Sequence, residues 1–233
     1  EAANLSPSGL KIVNSDPAFE ILLKKAGYDL NLAKMDDETF AKVTSDDPNS
    51  IRSRAKKIML RQFEMFKNNR LGVIVDGTGD NYNKISKQKK ELEKLGYDCY
   101  MVFVNTTLEV AQQRNAMRKR KLPRKIVKDI WTDVQKNLGK FQGAFGKNFV
   151  IVDNSEDTRS KKKPGRLDLV PHVLKATARF ISKPVRNPIG KKWIQMMMAH
   201  DRMSKSGDKR NRVNEELDIV SMEDVVLPMD LER

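Results

Sequence analysis

Four short apolar runs, each ending in a polar cluster, restrict what this chain can become. Leu10-Lys11-Ile12-Val13 runs into Asn14-Ser15-Asp16, and Leu71-Gly72-Val73-Ile74-Val75 runs into Asp76-Gly77-Thr78-Gly79-Asp80-Asn81. Tyr100-Met101-Val102-Phe103-Val104 ends in Asn105-Thr106-Thr107, and Phe149-Val150-Ile151-Val152 ends in Asp153-Asn154. Continuous runs of this kind suit strands buried on both faces, and helix-like segments separate them, which predicts a parallel α/β sheet. Open α/β sheets bind ligands outside the carboxyl ends of their strands, where these clusters fall. The pattern points to a nucleotide or phosphoryl-transfer site.

The intervening segments carry helix punctuation. Asp16-Pro17 reads as an N-cap followed by proline, with Phe19, Leu22 and Leu23 inward and Gly27 as the stop. Asp47-Pro48 repeats the signal before Ile51, Ala55, Ile58, Met59 and Phe66, which recur at helical spacing. Asn83 to Leu95 is a polar helix closed by Gly96, and Thr106-Thr107-Leu108-Glu109 reads as a capping box. Leu122-Pro123 breaks that helix; the next carries Ile126, Val127, Ile130, Trp131, Val134 and Leu138, with Gly139 as its expected end. The division expected is an α/β domain over residues 1–158, a basic linker over 159–169, a helical appendage over 170–203 and a loosely ordered tail over 204–233.

Charge narrows the partners. Lys+Arg 45 against Asp+Glu 31 leaves +14 and a pI near 9.8, which favours a polyanion: nucleotide phosphates, nucleic acid or an anionic membrane surface. No apolar run reaches spanning length, so a membrane ranks last of the three. One cysteine, Cys99, excludes an intramolecular disulfide and suits a reducing, cytoplasmic setting, where it reads as a small apolar packing residue. His172 and His200 are isolated, without metal-ligand spacing. Met196-Met197-Met198 beside Trp193 reads as helix packing.

Three features carry chemistry. Asp76, where a strand meets a glycine-containing turn, can hold a hydrated Mg²⁺ or orient a hydroxyl; it could equally satisfy local turn donors. Asp16 can position or deprotonate an attacking hydroxyl, or serve only as the N-cap of its helix. The stretch Arg114, Arg118, Lys119, Arg120, Lys121, Arg124, Lys125 and Lys128 is densely basic. On one continuous helix, Arg114, Arg118 and Lys121, or Arg120, Arg124 and Lys128, would share a face, suited to clamping phosphates; a solvated charged face is the alternative. No Gly-x-x-x-x-Gly-Lys-[Ser/Thr] phosphate loop occurs, and Gly146-Lys147 is not one, since Asn148 follows and Phe141 stands at the first glycine position.

At these residues, over roughly Lys11 to Asp157, the chain resembles the P-loop kinase group that includes phage-type polynucleotide 5′-kinases, zeta-toxin-like kinases and their AAA-type relatives. Asn14-Ser15-Asp16 is similar to the strand-end Asn-x-Asp that supplies a catalytic Asp there. Asp76-Gly77-Thr78 is similar to a substrate-contacting Asp-Thr-Asn-like strand end. Arg114-Asn115 followed by Arg118 matches an Arg-Asn helix and lid arginine in order and spacing. The resemblance implies a P-loop NTPase-like parallel sheet of order 2-3-1-4-5, with ATP and Mg²⁺ as cofactors. It also implies catalytic roles for Asp16, Asp76 and Arg118, nucleotide binding by Arg114, Arg118 and Arg120, and metal binding by Asp76.

In that group a phosphate loop and its strand precede the Asn-x-Asp strand, so strand 1 is expected to be missing from these residues. Val73–Val75 and Val102–Val104 should then flank its slot without direct ladder bonds, about 9–10 Å apart. Such a chain would lack the lysine and backbone nest that hold the β- and γ-phosphates, and would be nearly inactive. The expected function is an ATP-dependent phosphotransferase acting on a hydroxyl of a nucleic acid, nucleotide or related small molecule. A non-catalytic nucleic-acid-binding module on a kinase-like fold is the alternative.

Overall fold

The computed structural model describes residues 9–155 and 169–206. Four short strands are present there: β1 (Lys11–Val13), β2 (Val73–Val75), β3 (Met101–Asn105) and β4 (Phe149–Asp153). They pair as two parallel two-stranded sheets, β1 with β2 and β3 with β4. Register sets Ile12 opposite Ile74 and Phe103 opposite Ile151. Among the described residues no strand pairs with the other edge of β2 or β3, so the order 2-3-1-4-5 is not displayed as one sheet.

The strands are shielded less than continuous apolar runs lead one to expect. Val13 and Phe103 are buried, but Ile12, Val75, Val102, Val104 and Ile151 are exposed. Successive side chains point to opposite faces, and Phe103 has Phe141 and Phe149 against it while its neighbours Val102 and Val104 stay exposed, which corrects the expectation of strands covered on each side.

Eight α-helices lie among the described residues: α1 (Asp16–Lys25), α2 (Asp37–Thr44), α3 (Ile51–Asn68), α4 (Tyr82–Lys94), α5 (Leu108–Met117), α6 (Arg124–Phe145), α7 (Leu169–Ile181) and α8 (Pro188–Ser206). The basic linker and most of the expected tail lie outside the described residues.

Several helix ends differ from the punctuation read in the sequence, each for a local reason. Ser15, not Asp16, is the N-cap of α1, and it makes no side-chain cap bond; Asp16 is the first helical residue. Asp47 closes a turn onto the Asn49 N–H (2.7 Å), while Ser50 caps α3 by accepting from Ser53 N. Thr107 caps α5, leaving Thr106 Oγ1 to donate to the Asn154 carbonyl at 3.2 Å. Gly139 does not stop α6, which continues to Phe145 and ends at Gly146 with φ 52°. A glycine inside an amphipathic helix costs only about 1 kcal/mol, which the packing of Phe141 outweighs.

The chain divides into a larger unit, Glu1–Lys89 with Cys99–Lys183, and a smaller one, Lys90–Asp98 with Pro184–Arg233. In the larger unit, α1 packs on α3 around Phe19, Leu23, Leu32, Val43 and Ala55, with Phe40, Ile51 and Leu122 closing over them. A fully buried Leu or Phe contributes about 1.5–3 kcal/mol, so this cluster fixes α1 and with it the end of β1. Ile58, expected inward, is 41 % exposed, and the buried face of α3 passes through Ser53, Ala55, Phe63 and Lys67. A second aromatic group joins Phe141 of α6 to Tyr82 (centroids 5.4 Å) and to Phe103 (6.3 Å). Tyr100 stacks on Phe180 of α7 at 4.5 Å, and burial raises the Tyr100 pKa.

In the smaller unit the start of α8 meets the turn after α4. Asn187 Nδ2 donates to the Glu93 carbonyl at 2.6 Å, and Asp98 accepts from Arg186 N at 2.7 Å. A Cβ on Gly96, whose φ is +98°, would lie 2.6 Å from Gly190 N, so this approach requires glycine. Met196, Met197 and Met198 are all exposed. Three consecutive helical residues sweep about 200° and cannot all face one neighbour, which corrects their reading as packing residues.

Candidate functional site

The carboxyl ends of β1 and β2 are joined through one amide. Asn14 Nδ2 donates to Asp76 Oδ2 at 2.8 Å, and Asn14 Oδ1 accepts from the Asp16 backbone N–H at 2.7 Å. The β1–β2 pairing continues one residue further, with Asp76 N donating to the Val13 carbonyl at 3.0 Å. Asp16 and Asp76, 60 positions apart in sequence, therefore belong to one polar cluster.

Asp16 turns its carboxylate away from its own helix. Oδ1 accepts from Arg52 Nη1 at 3.1 Å, and Oδ2 pairs with Arg120 Nη2. Arg120 Nε also donates to Glu20 Oε1 at 3.1 Å. The buried Phe19 ring lies beneath both guanidinium groups, 5.1 Å from that of Arg52 and 5.9 Å from that of Arg120. Cation–π contact and charge-assisted bonds thus fix two arginines against one partly exposed carboxylate. The N-cap reading of Asp16 falls, because its oxygens are committed to these arginines and no side-chain cap bond forms. Sequence inspection missed Glu20 and Arg52 as members of the site. Glu20 lies one helical turn after Asp16, but nothing in the sequence singles out Arg52 from its neighbours Arg54 and Arg61.

The loop after β2 is held from below. Thr78 Oγ1 donates to Asp80 Oδ1 at 2.5 Å, and Gly79 adopts φ +79°. Asn137, buried on α6, donates through Nδ2 to the carbonyls of Gly79 (3.2 Å) and Asp80 (2.7 Å). Asp76 is exposed, and one of its oxygens already accepts from Asn14. Among the described residues no three His, Cys, Asp or Glu side chains gather as a ready-made cage. A hydrated Mg²⁺ takes one or two carboxylates and completes its shell with water and phosphate, so the exposed Asp76 carboxylate, with one oxygen held by Asn14, is compatible with that ion.

At the ends of β3 and β4 lies a separate open cleft of about 410 Å³, lined by Asn105, Thr106, Glu109, Trp131, Gln135 and Ser155 among others. Trp131 Nε1 donates to the Thr106 carbonyl at 2.8 Å, and Gln135 Nε2 to Asn105 Oδ1 at 2.8 Å. Arg114 donates through Nη2 to Asn154 Oδ1 at 3.3 Å.

The basic stretch does not form one helical face. α5 ends at Met117, and α6 begins only at Arg124. Asn115 closes the intervening loop by donating to the Leu122 carbonyl (2.8 Å) and accepting from Leu122 N (2.9 Å). Lys121 N donates to the Leu30 carbonyl at 3.2 Å, and Ala33 N to the Lys121 carbonyl at 3.1 Å. Neither expected row of cations is thus aligned: Arg114 points to the end of β4, Arg120 to Asp16, and Arg118 is exposed as the C-cap of α5. Two local causes act together: Asn115 holds Leu122 by two bonds, and Pro123 keeps Leu122 out of helical backbone.

Comparison with protein-family models matches residues 31–160, more than half of the chain, to the Zeta toxin family. No curated protein matches the chain. The chain belongs to the Zeta toxin family, a P-loop kinase-like family. Arg52, Asp76, Arg114, Arg118 and Arg120 lie inside the matched span; Asn14, Asp16 and Glu20 lie before it. Among the described residues no helix is long and apolar enough to cross a membrane.

Proposed function

From membership in the Zeta toxin family, we propose that this protein is an ATP-dependent phosphotransferase whose acceptor is a hydroxyl of a nucleic acid, nucleotide or related small molecule. The observation that carries the proposal is the coupling of Asp16 and Asp76 through Asn14 at adjacent strand ends, with Arg52 and Arg120 closing over Asp16. Phosphoryl transfer passes through a loose transition state, so catalysis is mostly positioning and charge stabilisation. Asp16, held on both oxygens by Arg52 and Arg120, orients the acceptor hydroxyl and receives its proton as the new O–P bond forms and the bond from the γ-phosphorus to the bridging oxygen breaks, with ADP as the leaving group. Asp76 would hold a hydrated Mg²⁺, which when bound would neutralise charge on the transferring phosphate.

Arg120 and Arg118 supply cations at the acceptor end, and Arg114 does so beside Asn154. The cleft at the ends of β3 and β4 offers the ring of Trp131 and the side chains of Asn105 and Gln135 to the nucleoside of the donor. Donor base and acceptor are then assigned to the strand ends of different sheets, the base to β3 and β4 and the acceptor to β1 and β2.

The test is transfer from γ-labelled ATP to a panel of acceptors (an oligonucleotide, a nucleoside and a nucleotide sugar), measured with a phosphate loop and its strand added ahead of β1, because no Gly-x-x-x-x-Gly-Lys-[Ser/Thr] occurs in these residues. Asp16→Ala is expected to lose about 10²–10⁴ in kcat on the accepted substrate, the range of a positioned acid–base group. Wild-type turnover in that variant removes Asp16 from the mechanism.

A further inference from the structure

Arg120 and Arg114 point to the two strand-end sites, but another group of cations does not. Lys119, Arg124, Lys125 and Lys128 are exposed, and among the described residues none of them forms an ion pair. Arg124 and Lys125 stand four and three residues before Lys128, so the three share one face of the first turns of α6, about 6 Å along its axis. Asp129 is the one exposed acid in this stretch. The first turn of α6 holds no acid. Cations there oppose the helix dipole and repel one another, so their arrangement does not serve helix stability.

The loop beside them is already rigid. Asn115 clamps Leu122 by two bonds, Lys121 is tied to Leu30 and Ala33, and Arg120 is anchored to Asp16 and Glu20. Lys119 is therefore presented with little backbone entropy left to lose on binding.

We propose that Lys119, Arg124, Lys125 and Lys128 form a docking surface for the phosphate backbone of a single-stranded nucleic acid, separate from the phosphoryl-transfer site. The exposed residues from Lys119 to Asp129 are all charged, while Leu122, Pro123, Ile126 and Val127 are half-buried. A membrane-surface helix needs an apolar face to insert, and this stretch presents none, so the complementary partner is a polyanion in water. The proposal goes beyond the phosphotransferase reading and does not depend on it.

The experiment is fluorescence-anisotropy titration of a labelled oligouridine of about 15 nucleotides, from about 50 to 200 mM salt. Each phosphate contact with a single strand contributes about −0.7 to the slope of log K against log salt. The triple variant Arg124→Ala, Lys125→Ala, Lys128→Ala should therefore flatten that slope by about 2, with its circular dichroism spectrum unchanged and its melting temperature no lower than that of the wild type. Reversing the charges at the same three positions should weaken binding further.

An unchanged slope in the triple variant overturns the proposal. Displacement of the oligonucleotide by millimolar ATP also overturns it, because the cations would then belong to the nucleotide site. Equal or tighter binding of phosphatidylserine vesicles through the same three residues overturns it in favour of a membrane surface.

Discussion

Asn137 offers the sharpest test of how the site is supported. It is 6 % exposed on α6, and its Nδ2 group donates to the carbonyls of Gly79 and Asp80, in the loop that follows Asp76. Asn137→Ala removes both bonds at once. A neutral hydrogen bond contributes about 1 kcal/mol net, so the loss should be about 2 kcal/mol if water reaches the freed carbonyls, as the exposure of Asp80 allows. For a chain of this size that corresponds to a fall of about 4–8 °C in melting temperature.

Asn137→Asp separates hydrogen bonding from volume. It keeps the side chain's size but turns a carboxylate toward two carbonyl oxygens, and should cost about 1–2 kcal/mol more than alanine. Urea unfolding of the wild type and both variants reads the order directly. The reasoning is refuted if alanine costs less than about 0.5 kcal/mol, or if Asn137→Asp is no worse than alanine.

Phe141, fully buried against Tyr82 and Phe103 and the nearest side chain to Gly79, should cost about 3–5 kcal/mol as Phe141→Ala; a urea midpoint close to wild type would deny it that bridging role. Arg118→Lys keeps the charge but loses the planar fork, so turnover should fall by orders of magnitude if Arg118 contacts transferring phosphate, and equal kcat would return it to a solvated role. Asp36 caps α2 by accepting from Thr39 N, and this hydrogen bond lowers its pKa below 3.8. The stability it adds is present above pH 3.8 and lost as pH falls through the folded value. Asp36→Asn, which caps without titrating, should thus lose its deficit against wild type on acidification; a deficit constant with pH in chemical denaturation would contradict this.

Local residue pattern was enough to place the strands and the polar residues that follow them. The four apolar runs became β1 to β4 because β-branched residues leave the chain little alternative over three to five residues. Each polar cluster fell at a strand's carboxyl end because that is where the run stops. The coupling of Asn14 to Asp76 was not legible. It depends on β1 and β2 pairing in parallel with Val13 opposite Val75, a contact between residues 62 apart.

Tertiary structure decided the rest. Whether Asp16 caps its helix or faces arginines turned on α3 bringing Arg52 alongside, and on the Asn115–Leu122 clamp folding Arg120 back. Spacing rules assume a continuous helix, and Pro123 with that clamp removes the continuity. Burial followed the same logic: Val104 and Phe103 are adjacent and equally apolar, yet one is 51 % exposed and the other 5 %. Phe141 and Phe149 lie against Phe103, on the opposite face from Val104. A side chain's type sets what it can do; its neighbours, brought together by the fold, set what it does.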